Sequence, residues 1–158
     1  MTSKYKILFV CLGNICRSAA AEGIMNSLLE QRGLTCRFEV DSAGTFGGHQ
    51  GQRADARMRK AALARGYYLE SLSRKITMDD FFSSDIILAM DDSVYDELMD
   101  LSVDVASGAK VHRMVEFCTH NSASYVPDPY YEGVDGFSLV MDILEDGCCG
   151  LLAEITKS

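Results

Sequence analysis

A buried strand that runs directly into a short polar loop is the feature that most constrains the fold of this 158-residue chain. Residues 7–10 (ILFV) form a continuous apolar run, which is typical of a strand buried on both faces, as in a parallel sheet. The loop CLGNICRS follows, and an alanine- and leucine-rich stretch then predicts a helix from about Ser18 to Gly33. Cys11 is therefore expected at the carboxyl end of the strand.

This strand, loop and helix have the properties of an anion-binding site. The N–H groups of such a loop and of the first helical turn converge on one point and carry partial positive charge, so a phosphate can bind there. The same field favours the thiolate form of Cys11, which makes it a candidate nucleophile. Arg17 can hold two phosphoryl oxygens with its planar guanidinium, and Ser18 can donate to the thiolate. A nucleotide P-loop is excluded, because the pattern GxxxxGK[ST] is absent.

Several further short motifs follow the loop in order. They are DSAGT at 41–45, DAR at 55–57, SRKIT at 73–77, DIILAMDDS at 85–93 and DPYY at 128–131. Together with CLGNICRS, this set resembles the low-molecular-weight protein tyrosine phosphatases over nearly the whole chain. The resemblance implies hydrolysis of phosphotyrosine in proteins through a cysteinyl-phosphate intermediate, with inorganic phosphate as product and without a metal or other cofactor.

The resemblance also assigns roles to individual residues. Cys11 corresponds to the nucleophile, Arg17 to the cation that binds the phosphoryl oxygens, and Asp128, between two prolines, to the general acid. The residues that would bind phosphate or support the loop are Leu12, Gly13, Asn14, Ile15, Cys16, Ser18 and Ser42. The residues that would line the substrate pocket are Tyr130, Tyr131 and His49.

Two of the departures from the family pattern concern the predicted site. The family usually carries an aromatic pocket residue in the loop at 43–53, and the corresponding position here is Gly48, next to His49. Many relatives have a histidine that helps to fix the loop asparagine, and the corresponding position here is Ser71. The aromatic pocket residue and the supporting histidine that the family usually has are therefore not expected at these two positions.

Two acidic residues, Asp91 and Asp92, follow the predicted strand at 86–89. Adjacent carboxylates are potential metal ligands, but a solvated strand end or the N-cap of the next helix is a commoner use of such a pair. The three histidines lack ligand spacing, so no metal site is expected. Asp92 is the second candidate for the general acid, after Asp128.

The rest of the chain predicts an α/β fold in one domain, residues 1–158. Three more strands are expected, at 38–42, 86–89 and 110–114. Helices are expected at 54–65, 94–99 and 137–155, and a capping box predicts a short helix from 77. Right-handed crossovers then give a four-stranded parallel doubly wound sheet, with helices on both faces and the phosphate-binding loop after the first strand.

Charge and composition narrow the range of partners. The formal net charge of −8 argues against nucleic acid, because binding to it depends on a basic surface. No apolar run approaches the ~20 residues of a membrane span, so membrane insertion is not expected. The six cysteines show no disulfide-framework spacing and the first residues show no signal-peptide pattern, which together favour a cytoplasmic protein.

Three alternative functions share parts of this pattern. An arsenate reductase would need further redox cysteines, and residues 37–117 contain none. A protein-arginine phosphatase would be expected to carry threonine where this loop has Ile15. A catalytically silent phosphopeptide-binding module would be expected to lack Cys11, Arg17 or Asp128. Phosphotyrosine hydrolysis is therefore the preferred interpretation.

Overall fold

The computed structural model describes residues 3–130 and 133–157. Tyr131 of the predicted pocket lies outside the described residues. One parallel sheet consists of four strands: β1 (Tyr5–Cys11), β2 (Phe38–Gly44), β3 (Ile86–Ala89) and β4 (Val111–Arg113). Their spatial order is β2–β1–β3–β4, so β1 is an interior strand and the order reverses between β1 and β3. Ligands of doubly wound sheets bind at the carboxyl ends of the strands at such a point.

The described residues include six α-helices: α1 (Arg17–Gln31), α2 (Ala56–Leu63), α3 (Met78–Ser83), α4 (Asp92–Leu101), α5 (Val105–Gly108) and α6 (Val134–Ile155). A short 3-10 helix (Met114–Phe117) follows β4. None of the described helices is long and apolar enough to cross a bilayer.

Successive residues of β1 point to opposite faces of the sheet, and helices cover both faces. Ile7 and Phe9 belong to the core that contains buried residues of α1, α2 and α6. Leu8 and Val10 belong to a second core with Phe81 of α3 and buried residues of α4. These four residues of β1 are completely buried, as the continuous apolar run predicted. The structure thus confirms the four-stranded, doubly wound α/β fold with the loop after β1.

Side-chain caps define two helix starts beside this edge of the sheet. Asp55 is the N-cap of α2, because its carboxylate accepts from the Arg57 N–H at 2.8 Å. Asp91 is the N-cap of α4 and accepts from the Val94 N–H at 2.8 Å. Helix α2 therefore begins two residues later than predicted, and α4 begins at Asp92.

Candidate active site

The loop between β1 and α1 surrounds the Cys11 thiol. The Cys11 side chain is buried, and its Sγ lies 3.0 Å from Ser18 Oγ. The Asn14 N–H donates to the same sulfur at 3.3 Å. Asn14 has a φ of +57°, in the left-handed region that asparagine tolerates better than most residues. The reversal of the chain at Asn14 thus turns a backbone N–H toward the sulfur.

The Asn14 side chain is fully hydrogen-bonded. Its Nδ2 donates to Ser18 Oγ at 2.8 Å and to Ser42 Oγ at 2.9 Å, and its Oδ1 accepts from the Arg74 N–H at 3.1 Å. The structure therefore brings together Asn14, Ser18 and Ser42, three of the residues that the resemblance assigned to phosphate binding or loop support. Because Ser18 Oγ accepts from Asn14, its own hydrogen is available to the Cys11 sulfur. These contacts hold Asn14 without a histidine at position 71.

Two residues that the sequence did not single out complete this network. Glu22 on α1 accepts a hydrogen bond from Ser42 Oγ at 2.5 Å, and burial raises the pKa of the Glu22 carboxyl. Arg74, within the SRKIT motif, forms ion pairs with Asp41 and Asp80. The position of Glu22 gave no signal, and the motif that contains Arg74 did not reveal its role, because each residue reaches the loop through contacts between residues distant in the chain.

The Arg17 guanidinium is held in position by other groups of the chain. Arg17 is 3% exposed, and its Nη1 donates to Asp91 Oδ2 at 2.6 Å and to the Val126 carbonyl at 3.1 Å. Its Nη2 lies 3.8 Å from Asp128 Oδ2. Burial alone would lower the pKa of Arg17, but the neighbouring Cys11, Asp91 and Asp128 raise it, so the group stays cationic. Asp91 is thus a site residue that the sequence did not reveal, since the pattern there indicated a solvated strand end, a helix cap or a metal ligand.

The loop backbone is also braced from outside. The Asp55 N–H donates to the Ile15 carbonyl at 2.7 Å, and Ser73 Oγ donates to the Gly13 carbonyl at 2.8 Å. The Asp55 carboxylate binds the Arg57 guanidinium through two hydrogen bonds, which lower the pKa of Asp55. Cys16 is buried, and burial together with the charge of Asp55 raises the pKa of its thiol, which favours the neutral form.

A pocket of about 360 Å³ opens above the Cys11 sulfur. Its lining residues are Cys11, Leu12, Gly13, Ile15, Cys16, Arg17, Phe46, His49, Asp128 and Tyr130. Asp128 Oδ1 accepts from the Tyr130 N–H at 3.0 Å, while 45% of its side-chain surface stays exposed. Asp92 does not line this pocket; it pairs instead with Arg113 at 2.6 Å.

Phe46 is a pocket residue that the sequence analysis did not predict. It is the only Phe, Tyr or Trp in the loop at 43–53, which is the signal that could have identified it. Its ring lies over Gly48, the position at which the family pattern placed an aromatic residue. His49 lies beside it, with ring centroids 6.2 Å apart in an edge-to-face arrangement.

Comparison with known proteins identifies the family. The model of low molecular weight phosphotyrosine protein phosphatases matches residues 6–158. This chain belongs to that family. A putative low molecular weight protein-tyrosine-phosphatase of Synechocystis is 44% identical over 155 residues, covering 96% of this chain and 97% of the relative.

Solved structures agree with this assignment. A protein tyrosine phosphatase from Entamoeba histolytica is 47% identical, with a TM-score of 0.95 and 98% of each chain covered. An arginine phosphatase from Drosophila is also similar, at 31% identity and a TM-score of 0.89, with 97% of this chain and 98% of the other covered. The fold alone therefore does not distinguish the two substrates. The family match and the relatives named as tyrosine phosphatases confirm the predicted class, an enzyme that hydrolyses phosphotyrosine.

Proposed function

We propose that Cys11, Arg17 and Asp128 hydrolyse phosphotyrosine in two steps. In the first step, Cys11 Sγ attacks phosphorus in line with the leaving phenolic oxygen. Arg17 and the N–H groups of residues 12–18 bind the equatorial phosphoryl oxygens. Protonated Asp128 gives its proton to the phenolic oxygen as the P–O bond breaks. The products of this step are tyrosine and a cysteinyl-phosphate.

In the second step, water replaces the thiolate on phosphorus. Ionised Asp128 removes a proton from the attacking water, which is possible because nearly half of its side-chain surface is exposed. The P–S bond breaks, inorganic phosphate is released, and Ser18 stabilises the departing thiolate through its hydroxyl hydrogen. Apart from the attacking water, both steps use only side chains and backbone groups of the chain itself, and neither requires a metal or cofactor.

One observation carries this proposal: the three side chains line a single pocket at the carboxyl end of β1, and Arg17 is already fixed there. Asp91 and the Val126 carbonyl hold the guanidinium, so little side-chain freedom remains to be lost when phosphate binds. Pre-oriented charge of this kind stabilises a transition state more than mobile charge does. Ile15 is an apolar residue in the pocket lining. It suits the phenyl ring of phosphotyrosine better than the guanidinium of phosphoarginine.

We further propose that the enzyme acts on tyrosine-phosphorylated proteins in the cytoplasm, without nucleic acid and without inserting into a membrane. All six cysteines are free thiols, which suits a reducing compartment. The net charge of −8 restricts positive potential to small regions such as the pocket.

The first prediction tests the nucleophile. In Cys11→Ser, turnover of a phosphotyrosine peptide should fall by at least about 10³-fold, because the hydroxyl is a far weaker nucleophile. Inorganic phosphate should still bind, since Arg17 and the loop remain. The measurements are steady-state kinetics in excess chelator and phosphate binding by calorimetry. Phosphoserine and phosphoarginine peptides, assayed in parallel, define the substrate.

Cys149→Ser is the matched control, because Cys149 is an exposed thiol on α6, outside the pocket lining. Its turnover should equal that of the wild type. Residual activity of Cys11→Ser within about tenfold of the wild type would contradict the nucleophilic role. Faster turnover of phosphoarginine than of phosphotyrosine would make the substrate assignment wrong.

A further inference from the structure

We infer that Phe46 is the aromatic residue that selects the substrate ring, and that Gly48 is the residue that allows it to do so. The inference deepens the proposed function and rests on it, because the ring that Phe46 would contact is that of phosphotyrosine. It also accounts for the glycine at position 48.

The backbone of Phe46 is fixed relative to the nucleophile. The Thr45 N–H donates to the Cys11 carbonyl at 3.0 Å, and the Phe46 N–H donates to the Leu12 carbonyl at 2.9 Å. The preceding Gly44 allows this approach, since a Cβ there would lie 2.7 Å from the Leu12 carbonyl oxygen. The distance from Phe46 to the reacting sulfur is therefore set by main-chain hydrogen bonds.

The position of the Phe46 ring requires glycine at residue 48. A Cβ on Gly48 would lie 2.1 Å from Cε2 and 2.2 Å from Cζ of the Phe46 ring. The backbone of Gly48 does not itself need glycine, because its φ is outside the left-handed region. Any larger residue at position 48 must therefore displace the ring.

The Phe46 ring is exposed where a substrate would meet it. It is 53% exposed although apolar, and it lines the same pocket as Tyr130 and Asp128. The edge-to-face contact with His49 supports it on one side. Aromatic rings favour contact with other rings over contact with alkyl chains of similar size. Phe46 is thus placed to favour an aryl phosphate and to hold its ring in line with Cys11.

The experiment compares Phe46→Ala, Gly48→Ala and the double variant. Phe46→Ala should lower kcat/KM for a phosphotyrosine peptide by about tenfold, the loss expected for one aromatic contact. The inhibition constant of inorganic phosphate, which has no ring, should stay within about twofold of the wild-type value. Gly48→Ala should show the same pattern, although it keeps Phe46.

The double variant tests the connection between the two residues. If Gly48 acts through Phe46, adding Gly48→Ala to Phe46→Ala should cause no further loss, so the two effects are non-additive. Gly47→Ala is the matched control, because a Cβ there meets Lys75 at an ordinary 3.5 Å. It should leave both constants unchanged. The thermal unfolding midpoint of each variant separates a loss of selectivity from a loss of folding. Phe46→Leu serves as a second truncation.

The outcomes distinguish this inference from the function on which it rests. If the wild type does not hydrolyse phosphotyrosine, the proposed function is wrong. If the wild type is active and Phe46→Ala and Phe46→Leu match it, the role of Phe46 is wrong. Additive losses in the double variant, or an equal loss in Gly47→Ala, would overturn the role of Gly48.

Discussion

A single carboxylate at residue 91 serves two elements at once. One oxygen of Asp91 caps α4 and the other binds the Arg17 guanidinium. The cap could be predicted, because an acidic residue stands directly before a helix. The contact with Arg17 could not, since 74 residues separate the two side chains in the chain. A helix cap can be predicted from neighbouring residues in the sequence, whereas an ion pair between distant residues depends on how the strands are arranged.

The second prediction concerns Asp128. In Asp128→Ala, substrates with leaving groups of high pKa should slow much more than those with leaving groups of low pKa, because only the former need a proton. The measurement is kcat/KM for a series of aryl phosphates, and the slope against leaving-group pKa should become steeper. Asp92→Ala, which lies outside the pocket lining, should keep the wild-type slope. If Asp128→Ala lowered kcat/KM equally for all substrates of the series, the general acid would be another residue.

At the scale of elements, the prediction succeeded where the pattern was strong. The run at 86–89 coincides with β3, and the capping box at Thr77 and Asp80 opens α3. Helix α5 was missed, because four residues carry too little periodicity to be recognised.

The third prediction concerns the support that α3 gives to the loop. Asp80 accepts two hydrogen bonds from Arg74, and the Arg74 N–H in turn holds Asn14. Burial would raise the pKa of Asp80, but hydrogen bonds from Arg74 and Thr77 outweigh it and lower that pKa. Asp80→Asn should therefore lower the free energy of unfolding at pH 7 by about 1–3 kcal/mol and raise KM.

The sign of the pH effect follows from the lowered pKa. The ionised Asp80 stabilises the folded state at pH values above the ordinary aspartate pKa of about 3.9. This contribution is lost as the pH falls below that pKa and Asp80 becomes protonated in the folded state. In urea unfolding, the difference between Asp80→Asn and wild type should therefore shrink toward acid pH. Asp104→Asn, the exposed cap of α5, serves as control and should leave KM unchanged. A difference that is constant across this pH range would contradict the role of Asp80.

At the scale of the whole molecule, distant segments meet at the pocket. The alternation of predicted strands and helices correctly indicated an α/β protein, and the apolar runs indicated a sheet buried on both faces. The contacts that align the acid segment, such as the Val126 N–H donating to the Met90 carbonyl at 2.8 Å, follow from strand order. Such contacts have no local sequence signature, so the resemblance supplied the expected catalytic and loop residues, whereas the supports from Asp91 and Val126 were not predicted.

The fourth prediction concerns Arg57, which connects α2 with the segment that contains Tyr130 and with α6. Its guanidinium binds Asp55 and lies 5.3 Å from the Tyr130 ring centroid and 4.9 Å from that of Phe137 in α6. Arg57→Leu should raise KM for a phosphotyrosine peptide about two- to fivefold, because Tyr130 loses its support. Arg57→Lys should behave similarly, since it cannot form the planar contacts. The inhibition constant of inorganic phosphate should not change.

Arg113→Leu is the matched control for Arg57. Arg113 also stacks on a tyrosine, with 4.0 Å from its Cζ to the Tyr95 ring centroid, and also binds an aspartate, but outside the pocket lining. Equal changes of KM in the two variants would show that Arg57 acts only through general stability.

The three anchors of Arg17 also determine when a newly made chain can become active. Asp91 and Val126 emerge from the ribosome long after the loop that contains Cys11, and Asp128 emerges later still. Until residue 128 has been synthesised, the nucleophile has neither a fully oriented guanidinium nor an acid beside it. A chain that stops before residue 128 therefore carries the Cys11 thiol without the oriented guanidinium and the acid that hydrolysis of an ester requires.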